Sequence, residues 1–194
     1  MRITGGKARG IALKSPKGQN TRPATDRTRE SLFSSLSNSI EDAICLDLFA
    51  GSGSYGFEAL SRGAKYCQFI EYERMTINCL KENAQAVTKS AQLSQEAIQI
   101  KQMDLLKETS ISKPQNFDFI FLDPPYALWE SHSKYLLNKL ALNYANENTQ
   151  LILECPSELN LNETSSDWRP LKRLGKEGKK KPNIFIYQRV SSAS

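Results

Sequence analysis

The rhythm of apolar and polar positions changes at residue 44. From there, short and nearly continuous apolar runs alternate with longer stretches in which apolar residues recur every three or four positions. The first pattern predicts strands covered on both faces, and the second predicts helices packed by one stripe. "ICLDLF", "YCQFIE", "IQIKQ", "FDFIFLD" and "QLILEC" are the strand-like runs. Helices are predicted through "FEALSRG", through a stripe of Ile77, Leu80, Ala84 and Val87, and through Leu136, Leu137, Leu140 and Tyr144. Such alternation means a mostly parallel sheet with right-handed crossovers. The last pair of strands, about 168–175 and "NIFIYQR", has only a basic loop between its members. That connection is too short for a parallel crossover and predicts antiparallel pairing. The fold class is therefore an open α/β sandwich with one reversed strand.

Ahead of residue 44 the pattern is broken by glycines. "RITGGKARGIAL" reads as a small hairpin and "SPKGQNTRPATD" as a loop. Asp26 is expected to cap a helix whose apolar face is Leu32, Phe33, Leu36 and Ile40. Residues 1–40 thus read as a basic hairpin-and-helix extension, and residues 41–190 as the sheet domain. The tail "SSAS" reads as frayed.

The 194 residues suffice for one good-sized domain. No apolar run approaches the ~20 residues of a membrane helix, and the opening "MRITGGKARG" lacks the apolar core of a signal peptide. Cys45, Cys67, Cys79 and Cys155 form no close pair, and three of them sit in strand-like runs. They read as reduced thiols of a cytoplasmic protein, with no metal site. Charge adds more. The net value is +5, yet residues 1–29 carry eight Lys and Arg against Asp26, and residues 169–181 carry seven against Glu177. The body between is net acidic. Basic ends on an acidic body fit a clamp for a polyanion, most often nucleic acid.

In a parallel α/β sheet, ligands bind beyond the carboxyl ends of the strands. At those ends the sequence puts Asp47 with a glycine loop, then Glu71, then Asp104, then "DPPY". Gly51-Ser52-Gly53-Ser54-Tyr55-Gly56 matches G-x-G-x-x-G, and Glu71 follows Gly51 at the spacing of a ribose-binding acid. These features serve any adenosine-type cofactor, which leaves S-adenosylmethionine and NAD open. Asp123-Pro124-Pro125-Tyr126 decides between them. Hydride transfer has no use for this loop, whereas methylation of a nucleobase amine does. The lone pair of such an amine is delocalised into its ring. Acceptors that hold the N–H bonds out of the ring plane localise that pair. Asp123 and the carbonyl of Pro124 are two such acceptors, and the prolines keep them aimed. Tyr126 offers a face for an extruded base.

"LDLFAGSGSYGFEALSRGA" with a later "LDPPY" resembles class I S-adenosylmethionine-dependent methyltransferases that act on amino groups. "RITGGKARGIAL" and "RPATDRTRESLF" narrow the resemblance to the bacterial 16S ribosomal RNA guanine-N2 methyltransferase (RsmD) family, over residues 2 to about 190. The resemblance implies a doubly wound, seven-stranded, Rossmann-like sheet. It also implies methylation of the N2 amine of one guanine in 16S rRNA or an assembling small subunit, by a cytoplasmic monomer with no membrane partner. Asp47, Gly51, Gly53, Glu71 and Asp104 would line the site for S-adenosylmethionine and its product S-adenosylhomocysteine. Glu71 would take the ribose hydroxyls, and Asp104 would lie near the adenine. Asp123, Pro124 and Tyr126 would form the amine cradle. Arg22, Arg27 and Arg29, with Lys179, Lys180 and Lys181, would hold RNA. His132 reads as a solvated helix start, and Trp129 and Trp168 as packing residues. The rival readings are a DNA adenine-N6 methyltransferase, which uses the same loop, and a non-catalytic RNA-binding assembly factor on the same scaffold.

Overall fold

Strand β1 (Ile44–Leu48) is an interior strand of a seven-stranded sheet in the computed structural model, which describes residues 1–15, 25–108, 117–156, 165–175 and 182–190. The chain runs α1 (Asp26–Leu36), β1, α2 (Ser54–Ser61), β2 (Tyr66–Glu71), α3 (Arg74–Ala91), β3 (Ile98–Gln102), β4 (Phe119–Leu122), α4 (Tyr126–Asn143), β5 (Gln150–Pro156), β6 (Trp168–Leu174) and β7 (Pro182–Arg189). The strand order is β3-β2-β1-β4-β5-β7-β6. The first five strands are parallel, and β7 is antiparallel to both of its neighbours. The order reverses between β1 and β4, so the switch point lies at their carboxyl ends.

Both faces of the sheet are buried, which explains the unbroken apolar runs. Cys45, Cys67, Phe69, Phe119, Phe121, Ile152, Ile184 and Ile186 face α1, α2 and α3. Leu46, Leu48, Ile70, Ile120, Leu122, Leu151, Leu153 and Tyr187 face α4. Trp129 and Trp168 are packing residues as expected, and His132 is exposed on α4. All four cysteines are free, and Cys45, Cys67 and Cys155 are buried. No described helix is long and apolar enough to cross a membrane.

The first forty residues depart from the expected arrangement. A hairpin does form, with Arg2 bridged to Ala12 and Ile3 exchanging backbone hydrogen bonds with Gly10 and Ile11. It is no separate extension, because Ile3, Ala8 and Leu13 share one core with α1, α2 and the sheet. Thr25, not Asp26, caps α1: its hydroxyl accepts from the Thr28 N–H at 3.2 Å. Asp26 is the first helical residue and binds Arg29 at 2.9 Å. The apolar face continues past α1 into a 3₁₀ turn at Ser37–Ile40, where Ile40 is buried.

The ionic hub beneath the hairpin overturns one expectation about RNA. Arg29 is 0% exposed and lies between Asp26, the Arg2 carbonyl and Glu58. Glu58 on α2, equally buried, also accepts from the Thr4 N–H at 2.8 Å, the Thr4 hydroxyl at 2.6 Å and Arg62 Nε at 2.8 Å. A guanidinium stripped of water needs carboxylates around it. Arg29 therefore staples the hairpin and α1 to α2 and is not presented to phosphate. Removing one partner of such a buried group typically costs roughly 3–5 kcal/mol. Glu58→Ala should lower the free energy of urea unfolding by that order. A loss under about 1 kcal/mol would mean that the hub contributes as little as an exposed ion pair.

Candidate active site

The glycine loop leaves β1 directly above the switch point. Gly53 has φ of 78° and precedes the first residue of α2. A Cβ there would come within 2.3 Å of the Phe57 ring, so only glycine fits both the backbone and the space. Gly51 also has positive φ, at 56°, but a Cβ there would meet nothing nearer than 3.8 Å. Its Cα faces open room, which is what close approach of a ligand to the backbone requires. Gly56 serves packing instead, since a Cβ would strike Phe69 at 2.4 Å and Cys67 at 2.6 Å.

Two carboxylates hold this loop. Asp47 is buried and accepts from the Gly56 N–H at 2.9 Å. Burial pushes its pKa up to about 8, helped by the charge of Glu71 and opposed by the Gly56 hydrogen bond. Glu71, at the end of β2, accepts from the Gly51 N–H at 2.9 Å through Oε2. Its Oε1 accepts from Tyr72 and Glu73 at 2.8 and 2.9 Å. A carboxylate has about four acceptor positions, so Oε2 retains capacity for a hydroxyl donor.

Asp104 lies two residues beyond β3. Its carboxylate accepts from the Leu106 N–H at 3.0 Å and pairs with Lys107 at 3.4 Å. The buried Lys139 of α4 donates to the carbonyls of Leu105 and Glu108, which fixes the turn that begins at Asp104.

Asp123 follows β4 immediately and is part-buried. Burial, then the charges of Glu154 and Asp47, raise its pKa well above the carboxylate range. The two prolines divide their work. Pro124 is buried at the strand end. Pro125 has φ of −53° and starts α4, with its carbonyl accepting from Leu128 and Trp129 at 3.0 Å each. A residue that needs no N–H partner suits a helix start. Tyr126 then becomes the first residue of α4 and is 42% exposed, three residues after Asp123.

Asp47, Gly51, Gly53, Glu71, Asp104, Asp123, Pro124 and Tyr126 therefore all lie at the carboxyl edge of β1 to β4. Of the expected RNA residues, Arg27 is exposed on α1 and Arg29 is buried. Arg22, Lys179, Lys180 and Lys181 lie outside the described residues. The end of β6 and the start of β7 meet the end of β5 through Leu174, Ile184, Pro182 and Pro156. Among the described residues no cluster of His, Cys, Asp and Glu is arranged to hold a metal ion.

Three residues that sequence reasoning passed over belong to this edge. Asn83 of α3 is buried and donates to the carbonyls of Ser52 and Lys14 at 2.9 Å each. It also accepts from the Lys14 N–H at 2.8 Å. It thus ties the glycine loop to the root of the hairpin. Its signal was available, as a polar residue at i+3 from Leu80 and i−4 from Val87 on an apolar stripe. Tyr55, inside the glycine motif, stacks on Phe121 with centroids 5.7 Å apart and donates to Glu154 of β5 at 2.5 Å.

Comparison with known proteins agrees with this geometry. The model of the family described as "Conserved hypothetical protein 95" matches residues 1–186. The chain is 43% identical to ribosomal RNA small subunit methyltransferase D of Haemophilus influenzae over 129 residues, 65% of this chain and 64% of that relative. With the protein of the same name from Buchnera aphidicola it shares 31% over 199 aligned positions, 99% of this chain and 93% of the relative. The solved yhhF structure of Escherichia coli superposes with a TM-score of 0.81 at 28% identity, over 99% of both chains. A matched family over nearly the whole chain, on a sheet of this order and with an Asp-Pro-Pro-Tyr loop beside a glycine loop, makes the chain a member of the RsmD-type class I methyltransferases.

Proposed function

We propose that this chain transfers a methyl group from S-adenosylmethionine to the exocyclic N2 amine of one guanine in 16S rRNA, acting in the cytoplasm as a monomer. The observation that carries the reading is the shared edge. Asp123, Pro124 and Tyr126 follow β4, the strand beside β1 at the switch point, and the glycine loop leaves β1 at that edge.

The residues fit the cofactor. Gly51 faces open room, and Glu71 retains acceptor capacity for a ribose hydroxyl. Asp104 is taken to lie near the adenine. When bound, S-adenosylmethionine supplies an electrophilic methyl group carried on a sulfonium. The chain's own work is to present the amine. Asp123 and the Pro124 carbonyl accept its N–H bonds and hold them out of the ring plane, which returns the nitrogen lone pair to the nitrogen. Tyr126 stacks the extruded base, and the α4 start at Pro125 fixes the ring's position. Such orientation is in place before reaction and needs no reorganisation during it.

Asp123→Ala should leave cofactor affinity within a few-fold and lower single-turnover methylation of stripped rRNA by about two orders of magnitude. Wild-type turnover would remove Asp123 from the mechanism. The same assay on duplex DNA separates RNA from DNA as substrate.

Glu71→Ala should weaken S-adenosylmethionine and S-adenosylhomocysteine equally, since both carry the same ribose. Calorimetric titration of the two ligands measures this, and unchanged affinity would assign the hydroxyls elsewhere.

The basic segments are read as one RNA clamp, now without Arg29. Replacing Lys179, Lys180 and Lys181 by Ala, or Arg22 and Arg27 by Ala, should weaken RNA binding while cofactor binding stays intact. Each lost phosphate contact should flatten the slope of log affinity against log salt by about 0.7–0.9. Unaltered RNA affinity at low salt in both variants would leave these segments as solubilising tails.

A further inference from the structure

The buried carboxylate of Glu154 takes no part in the cradle described above, yet it lies in the strand next to it, two residues before the end of β5. β4 and β5 are parallel, with Leu122 opposite Leu153. Asp123 and Glu154 are each one residue further on, Asp123 just past the end of β4 and Glu154 still within β5, at neighbouring positions of adjacent strands. Leu122 and Leu153 face α4. The alternation of β5 then turns Glu154 toward α2, and Asp123, past the end of β4, is near enough for its charge to act on Tyr55 of α2. There Tyr55, itself buried, stacks on Phe121 and donates to Glu154 Oε2 at 2.5 Å. Glu154 is 3% exposed. A carboxylate buried beside another carboxylate, and oriented by a phenol, is an arrangement in which two acids share a proton.

We propose that Glu154, oriented by Tyr55, is the positioning partner of Asp123, and that the two carboxylates together receive the proton the methylated amine must shed. This rests on the reading of Asp123 as the amine acceptor. The balance is simple. The nitrogen lone pair forms the N–C bond, the C–S pair remains on sulfur as a neutral thioether, and the nitrogen is left cationic with one surplus proton. Asp123, already hydrogen-bonded to that N–H, takes the proton, and the charge of Glu154 alongside makes the acceptance favourable. No further reactant is needed.

The surroundings agree. The charges of Glu154 and Asp47 add to burial in raising Asp123, and the same Glu154 and Asp123 charges raise Tyr126 after burial. Among the described residues, Tyr55 from α2 and Cys155 from β5 also face the pair, each raised by burial first. Among the described residues, Arg29 of α1 acts on Tyr55 and Arg173 of β6 acts on Cys155. On β7, Ile184 is opposite Glu154.

The test is the pH dependence of single-turnover kcat in Glu154→Gln and Tyr55→Phe, with S-adenosylhomocysteine affinity measured to verify a folded site. Glu154→Gln keeps the shape and can still accept from Tyr55. It should reduce kcat roughly tenfold or more and move the acid limb to lower pH, because Asp123 loses a neighbouring negative charge. Tyr55→Phe removes the donor to Glu154, whose proton affinity rises, and should move the acid limb the opposite way. Carboxyl ¹³C NMR of the protein without substrate should show two coupled titrations in the wild type and one uncoupled titration in Glu154→Gln. A purely structural Glu154 would leave the limb where it is, and an unmoved limb with wild-type kcat overturns the proposal. If Glu154→Gln fails to bind S-adenosylhomocysteine, the direction of the Tyr55→Phe shift decides. An active Asp123→Ala variant would instead overturn the cradle itself.

Discussion

A sheet covered by helices on both faces leaves polar groups few places to go. Backbone donors and acceptors inside it are satisfied by the ladders, and side chains along β1, β2 and β4 are buried almost without exception. Polar chemistry is then confined to the strand ends, where the chain turns out of the sheet. At the carboxyl ends of β1, β2, β4 and β5 this constraint collects Asp47, Glu71, Asp123 and Glu154. Their neighbours are one another, so burial and like charge act together on Asp47 and Asp123. The local basicity of the edge follows from its position in the fold.

The same constraint decides what holds the amino-terminal hairpin. With Ile3, Ala8 and Leu13 as its only buried apolar residues, the hairpin has a small share of the core. Its docking leans on polar groups: Glu58 with Arg29 and Arg62, Ser61 with Gly5 and Ala8, and Asn83 with Lys14. Two of these anchors, Glu58 and Ser61, lie on α2, whose first turn follows the glycine loop. The third, Asn83, binds that loop at Ser52. The hairpin is consequently in register with the glycine loop, and the chain leaves it at Lys14 beside the active edge.

What the sequence made legible was what depends on periodicity and on local chemistry. Apolar runs and stripes identified the strands and main helices, the short β6–β7 connection identified the reversed strand, and the glycine and Asp-Pro-Pro-Tyr motifs identified the edge. Partnerships across the chain were not legible. Arg29 looked like its neighbours Arg22 and Arg27 because all three sit in one basic stretch, and only burial beside Glu58 separates it from them. Asp26 and Thr25 are both good caps, and the choice fell to the residue whose oxygen was not already bound to Arg29. Glu154 reads as one more residue of an apolar strand, and its meaning appears only when β5 is set beside β4.

The glycine motif illustrates how a local signature is settled by charge. G-x-G-x-x-G with an acid about 20 residues on serves a dinucleotide as well as S-adenosylmethionine. A dinucleotide would bring a pyrophosphate to the start of α2, and a helix start favours an anion by only about 0.3–1 kcal/mol at the surface. Set against it are Asp47 beneath the loop, with Asp123 and Glu154 at the ends of the strands beyond. Burial already opposes ionisation of Asp47 and Asp123, and a diphosphate beside them would oppose it further, so the edge offers an anion little beyond the helix end. A sulfonium has the opposite sign, and an amine brings N–H donors to the acceptor oxygens of Asp123. The acidic edge, which opposes its own ionisation when empty, thereby favours a cation and a donor over an anion.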